Sequence, residues 1–156
     1  NTQIKCVNIQ KGNCNSFAFT LDEEANSTVT YCNSVGKYLY EPNAAIQKGC
    51  CHRTLSHKLQ IDKLHPNSQL YTAERLIENF PGRKFIVERV TGFSKSETRE
   101  LQALGKANIT VRNFPESVQT LRKKLKLNEG GENYLFATTL SGERKVLIHC
   151  RKAQAD

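Results

Sequence analysis

The chain has 156 residues, 38% of them hydrophobic, with seven Phe, five Tyr, no Trp and no Met. That is enough for one medium domain or two small ones, and it excludes a disordered composition. The formal net charge is +8, no apolar run approaches the ~18 residues needed to cross a membrane, and no basic leader precedes an apolar segment.

The charge is uneven. Residues 1–80 hold 8 Lys and Arg against 7 Asp and Glu; residues 81–156 hold 15 against 8. Such a bias points to a polyanion meeting the second half, and solubility is the plainer use of the same charge.

In chain order, residues 4–9 read as a strand. Residues 16–21 read as a second, with Phe17, Phe19 and Leu21 on one face. The turn between them is placed at Gly12-Asn13-Cys14-Asn15, and Asp22-Glu23-Glu24 closes the pair as a solvated charge run. Residues 29–32 form a short strand. Pro42 suits a first helical position, and Ala44, Cys51, Leu55 and Leu59 then share a face. A helix over about 42–60 follows, weakened by Gly49. His65-Pro66-Asn67-Ser68 is turn chemistry. Residues 69–78 fit either a strand near Leu70 or a helical turn near Glu74, and Pro81-Gly82 marks a boundary.

In the second half, residues 85–90 read as a strand. Ser94 and Glu97 form a capping box, opening a helix that stops at Gly105. Residues 109–114 are a strand. Pro115 opens a further helix, with Val118, Leu121 and Leu125 inward. Residues 134–140 and 145–150 are strands joined by a short hairpin link. The order is β-α-β-α-β-β, and the fold class is α+β. There is no internal repeat and no low-complexity segment.

Six cysteines invite a disulfide reading, but their density is below that of secreted scaffolds, and Cys6, Cys51 and Cys150 suit core positions. Reduced, cytosolic thiols are expected. Cys50-Cys51-His52 with His57 lacks the Cys-x-x-Cys pair of a zinc site, so no metal is assigned. The histidines at 52, 57, 65 and 149 are scattered. Glu129 and Glu132 flank a flexible turn that gives no reason for a raised pKa, so no catalytic residue is assigned.

One surface does suggest chemistry. Arg122, Lys123 and Lys126 span an arc of roughly 100° on their helix, with Lys124 pointing elsewhere. Arg144, Lys145, Arg151 and Lys152 bracket the last strand. Side by side, these seven would neutralise phosphates along RNA. Tyr134 and Phe136 would stack on an unpaired base or, more simply, fill the core.

The stretch from Glu129-Gly130-Gly131-Glu132 through Tyr134–Leu140 and Lys145–Cys150, preceded by Leu121–Leu127, resembles the THUMP-like domain that ends a family of bacterial class I SAM-dependent methyltransferases. Tyr38–Ile46 and Lys63–Ser68 resemble the segment between the catalytic and THUMP-like domains of that family. Gln47 and Cys50-Cys51-His52 are more polar than the family leads one to expect.

The resemblance implies two small α/β-sandwich-type units: a ferredoxin-like α+β unit over 1–80 and a THUMP-like domain over 81–156. It implies S-adenosylmethionine as the cofactor of a parent chain. None of the nine glycines here forms an acidic-x-Gly-x-Gly turn after an apolar strand, so no cofactor is expected in this chain. The expectation is a C-terminal part of a longer cytoplasmic enzyme, with which the start at Asn1 and the lack of Met agree. Its partners would be an N-terminal methyltransferase domain in cis and RNA, with no membrane and with homo-oligomerisation left open. Two other roles remain: a structural or dimerisation module packed on the catalytic domain, and a docking site for a protein substrate.

Overall fold

Strand β1 (Gln3–Gln10) and β2 (Asn13–Thr20) form an antiparallel hairpin in register from Gln3↔Thr20 to Gln10↔Asn13. This is a computed structural model, and it describes residues 2–153; the outer ends of the two expected units, Asn1 and 154–156, lie outside the described residues. The hairpin turn is only Lys11-Gly12, both with positive φ (51° and 79°), as the favoured two-residue hairpins require. The turn therefore comes earlier than the cluster Gly12–Asn15 suggests, and Asn13–Asn15 belong to the strand.

The expected solvated run at Asp22–Glu24 is instead a helix, α1 (Leu21–Asn26). Thr20 and Glu23 form a full capping box at its start. Residues 29–32 make a single parallel bridge, Tyr31↔Lys63, not a strand. Pro42 does not open a helix; it ends strand β3 (Tyr38–Pro42), and Asn43 caps α2 (Ala44–Gly49) by accepting from the Ile46 N–H. The single helix expected over 42–60 is broken. Cys50 takes a left-handed conformation, and α3 (His52–Leu59) starts afresh. Ile46, Cys51 and Leu55 are buried, whereas Ala44 is exposed.

Strands β4 (Asp62–His65) and β5 (Ser68–Ala73) pair through the expected Pro66-Asn67 turn, so the strand near Leu70 forms as far as Ala73 and no helical turn follows near Glu74. Then come β6 (Gly82–Thr91), α4 (Lys95–Gln102), β7 (Asn108–Val111), α5 (Val118–Leu125), β8 (Tyr134–Thr139) and β9 (Lys145–Lys152). The order β-α-β-α-β-β is as expected, and so is the Ser94/Glu97 box on α4. Strand β7 is shorter than 109–114. Helix α5 starts after a Ser117 cap rather than at Pro115.

The mixed α+β fold is built on one seven-stranded sheet, order β4-β5-β3-β6-β9-β8-β7, antiparallel except for β7 with β8. The β3–β6 pairing runs from Tyr38↔Ile86 to Pro42↔Gly82, so the strands on either side of Pro81 share a sheet.

Alternation along the strands sends side chains into three cores. Leu39, Phe85, Phe136, Ile148 and Cys150 fill one face with Leu64 and Leu70. On the opposite face, Tyr40 and Tyr71 pack beneath α2, α3 and the hairpin, with Cys6, Phe19, Leu55 and Phe80. Further along that face, Leu135, Ala137 and Leu147 pack beneath α4 and α5, with Leu101, Leu121 and Leu125. The sheet curls so that distant strands touch. His65 on β4 meets Glu143 at 2.7 Å, and Ser68 on β5 meets Thr138 at 3.2 Å.

Candidate functional site

The hairpin changes character along one face. Near its base Ile4, Cys6, Phe17 and Phe19 pack into the core beneath it. Toward the turn the same alternation presents Asn8, Gln10, Asn13 and Asn15, paired as Asn8↔Asn15 and Gln10↔Asn13. Amides at these positions gain nothing from an apolar core. The tip instead overhangs an open cleft of about 680 Å³.

The opposite wall comes from the sheet. Glu41, Pro42 and Asn43 leave β3, while Gly82, Arg83 and Lys84 begin β6 beside them. A Cβ at Gly82 would lie 2.1 Å from the Glu41 carbonyl oxygen, so glycine permits this crossing. The Asn43 N–H donates to the Pro81 carbonyl at 3.0 Å and pins the same junction. Gln47 Nε2 donates to the Pro42 carbonyl at 2.7 Å. Lys152 closes the wall from the end of β9.

Among the described residues, four cations line the cleft, Lys11, Arg83, Lys84 and Lys152, with the acid Glu41. That acid is already engaged. Arg83 donates to Glu41 Oε1 from Nε at 2.9 Å and from Nη2 at 2.6 Å. Arg112 lies 3.1 Å from Oε2 as an ion pair. The Arg83 guanidinium also covers the Phe85 and Phe136 rings, 5.2 and 5.8 Å from their centroids. Lys84 Nζ donates to the Glu78 carbonyl at 2.6 Å, and Lys152 Nζ sits 5.9 Å above the Tyr134 ring.

The seven cations singled out from the sequence divide between two ends of the sheet. Helix α5 delivers its C-terminus beside the start of β7, where the Ala107 N–H donates to the Asn128 carbonyl. Lys123 and Lys126 are exposed there. Arg151 and Lys152 end β9 opposite Ile86 and Phe85 on β6, and Cys150 lies opposite the first residue of β8, so they share this end. Lys106 joins them, its side chain against Gly131. Arg144 and Lys145 lie at the other end, six or more residues back along the strand, roughly 20 Å away. They do not form one cluster with the rest.

Arg122 is half-buried and donates to the Ala107 and Leu127 carbonyls, both at 3.2 Å, closing the C-terminus of α5. Arg151 faces Glu132 at 3.5 Å, and Lys124 pairs with Glu116. Phe136 is fully buried and unable to stack on a base, whereas Tyr134 is half-buried with its ring 5.1 Å from Phe85.

The other titratable groups serve the fold. Burial lowers the pKa of His149, whose Nε2 meets Asn133 Oδ1 at 2.9 Å. Burial likewise lowers that of Lys63, whose Nζ donates to the Pro66 carbonyl. No group of three or more His, Cys, Asp or Glu able to hold a metal occurs among the described residues. No helix among them is long and apolar enough to cross a membrane. The cleft was missed in the sequence; its signal was the run of amides at alternate positions on either side of Lys11-Gly12.

Comparison with known proteins places families on these segments. Residues 82–152 match the THUMP domain-like family, and residues 38–81 match a ferredoxin-like domain. The β1–β2 hairpin lies outside both. A solved crystal structure of a provisionally assigned methyltransferase from Porphyromonas gingivalis W83 is similar over 97% of this chain, with 39% identity and a TM-score of 0.90. This chain spans 38% of that protein's length. No curated protein matches the chain.

Proposed function

We propose that this chain is the RNA-orienting accessory region of a cytoplasmic class I SAM-dependent methyltransferase, a C-terminal part whose N-terminal domain in cis carries S-adenosylmethionine and the catalytic groups. Two findings support the enzyme class: the similarity to a much longer protein called a methyltransferase, and the THUMP-like segment. The residues of this chain do not fit the cofactor. Gly130 and Gly131 have positive φ but lead into β8 rather than a helix, and Lys106 packs against Gly131. No methyl-transfer step is therefore assigned to them.

The observation that carries the RNA reading is the gathering of Lys106, Lys123, Lys126, Arg151 and Lys152 at one end of the sheet, next to the cation-lined cleft. Cations spaced over such a surface neutralise successive phosphates and release counterions. Their part would be to hold and aim the RNA while the other domain reacts with it.

The test is equilibrium binding of the chain to tRNA and ribosomal RNA fragments, with duplex DNA as control, across a salt series. Micromolar binding that weakens steeply with salt and prefers RNA supports the proposal. No binding at low salt rejects it. A structural role is favoured by one observation: Val7 and Ile9, on the outer face of β1, are 44% and 73% exposed. Such an apolar strip suits packing against a further domain or a second copy.

A further inference from the structure

We infer that the cleft beneath the hairpin tip is the subsite for a single unpaired ribonucleotide, read by side-chain amides and held by lysines; this rests on the RNA reading above. Four amide side chains, Asn8, Gln10, Asn13 and Asn15, occupy consecutive places on the face turned toward the sheet. Their backbones pair in the hairpin, and their side chains make no hydrogen bond to another described residue. Purely structural strands favour β-branched and aromatic residues at such positions, and the base of this same face carries Phe17 and Phe19. Asn8 is half-buried and Gln10, Asn13 and Asn15 are exposed, so amides lining this open cleft offer donors and acceptors together to a polar ligand.

The facing wall completes the chemistry. Asn43 uses its side-chain oxygen to cap Ile46, leaving its NH2 as a donor. Gln47 uses its NH2 on the Pro42 carbonyl, leaving its oxygen as an acceptor. Amides offer donor and acceptor together, which is the pattern of a nucleobase edge. The cations Lys11, Lys84 and Lys152 supply the complement of a phosphate, and Glu41 does not oppose one because its carboxylate is engaged by Arg83 and Arg112.

The volume of about 680 Å³ lies within the range of small-ligand sites. No aromatic side chain lines the cleft, so the base is recognised by its edge rather than by stacking. A base paired in a duplex cannot present its pairing edge, and a base in a loop can.

The test uses the chain 1–156 and two fluorescein-labelled RNAs, a stem-loop and a blunt duplex of the same stem. The wild type is expected to favour the stem-loop. Asn8→Thr with Asn15→Thr keeps strand-compatible residues and is expected to lose that preference by about tenfold. Gln10→Glu with Asn13→Asp, nearly isosteric, is expected to do the same by repulsion. Lys123→Glu with Lys126→Glu should weaken both RNAs alike.

Folded cleft variants that keep the loop preference would overturn this inference and leave the general RNA reading standing. A wild type that binds neither RNA would remove that reading, and the subsite with it. Displacement of the stem-loop by polyglutamate as effectively as by unlabelled RNA would replace the nucleotide with an acidic protein segment.

Discussion

Glu41, on β3, and Arg112, just after β7, meet at 3.1 Å although five strands of the sheet separate their elements or bear them. The Glu41 side chain is only 8% exposed, while the two arginines that meet it are 40–42% exposed. The contact ties the ferredoxin-like segment to the THUMP-like segment, and it fixes Arg83 over Phe85 at the cleft wall. Replacing Glu41 with Gln keeps the volume and removes the charge. The arginines can recover water, so the expected cost is about 1–3 kcal/mol, below that of a fully buried pair. Thermal unfolding should show a lower Tm, and a cycle with Arg112→Ala should be non-additive.

Helix α3 has no cap from its own N-cap residue, Cys51. Glu24, distant in sequence, accepts from the N–H groups of Arg53 and Thr54 at 3.2 and 2.9 Å and from the Thr54 hydroxyl at 2.9 Å. Glu24→Ala should therefore destabilise the fold by about 1–2 kcal/mol, a capping effect. Asp22→Ala, on the same short helix with no such contact, should change stability by less than about 0.5 kcal/mol. Paired denaturant melts would check the contrast.

These cases mark how far the sequence is legible. The Ser94/Glu97 box was readable because both partners lie within one turn and a periodic helix follows. The equivalent Thr20/Glu23 box was not, because α1 is only six residues long and buries nothing. The cap supplied by Glu24 needs the fold to bring it to α3. Pro42 satisfies a helix start and a strand end equally well by local rules, and the β3–β6 pairing decides it. At the candidate site, the spacing of Lys145 and Lys152 along one strand already separates them, but the commitment of Arg122 to carbonyls at the end of α5 is visible only in three dimensions. The amides of the hairpin tip were in plain sight as residues, while the wall they face comes from segments that begin only at Glu41, well beyond the hairpin in sequence.

The thiols should sort by burial. Cys14 and Cys50 are exposed, whereas Cys6, Cys51 and Cys150 are buried. Burial pushes the Cys51 thiol up to about 12, with Cys6 beside it adding to the effect, and burial pushes Cys32 up to about 11. Alkylation of the native protein near neutral pH should modify Cys14 and Cys50 first, with the other four reacting only slowly or after denaturation. Mass spectrometry of the labelled peptides would check this, and rapid native labelling of Cys51 or Cys150 would contradict the packing.

Glu97 should confer a pH-dependent part of the stability. Its carboxyl is held below the usual range first by the Gly92 N–H, then by Ser94. A depressed folded-state pKa stabilises above the unfolded value and loses that contribution as pH falls through the folded value. Glu97→Gln should thus be less stable than wild type at pH ~6–7, and the gap should shrink below pH ~4. A gap that widens on acidification would contradict the capping role.

Ultraviolet crosslinking of the chain to RNA, with the linked peptides mapped by mass spectrometry, tests the central claim most directly. The account predicts crosslinks at the end of β9, at the C-terminus of α5 and on the hairpin tip, all lost as salt rises, with none at Arg144-Lys145. Crosslinks confined to that opposite turn, or none at low salt, would contradict an RNA-orienting role.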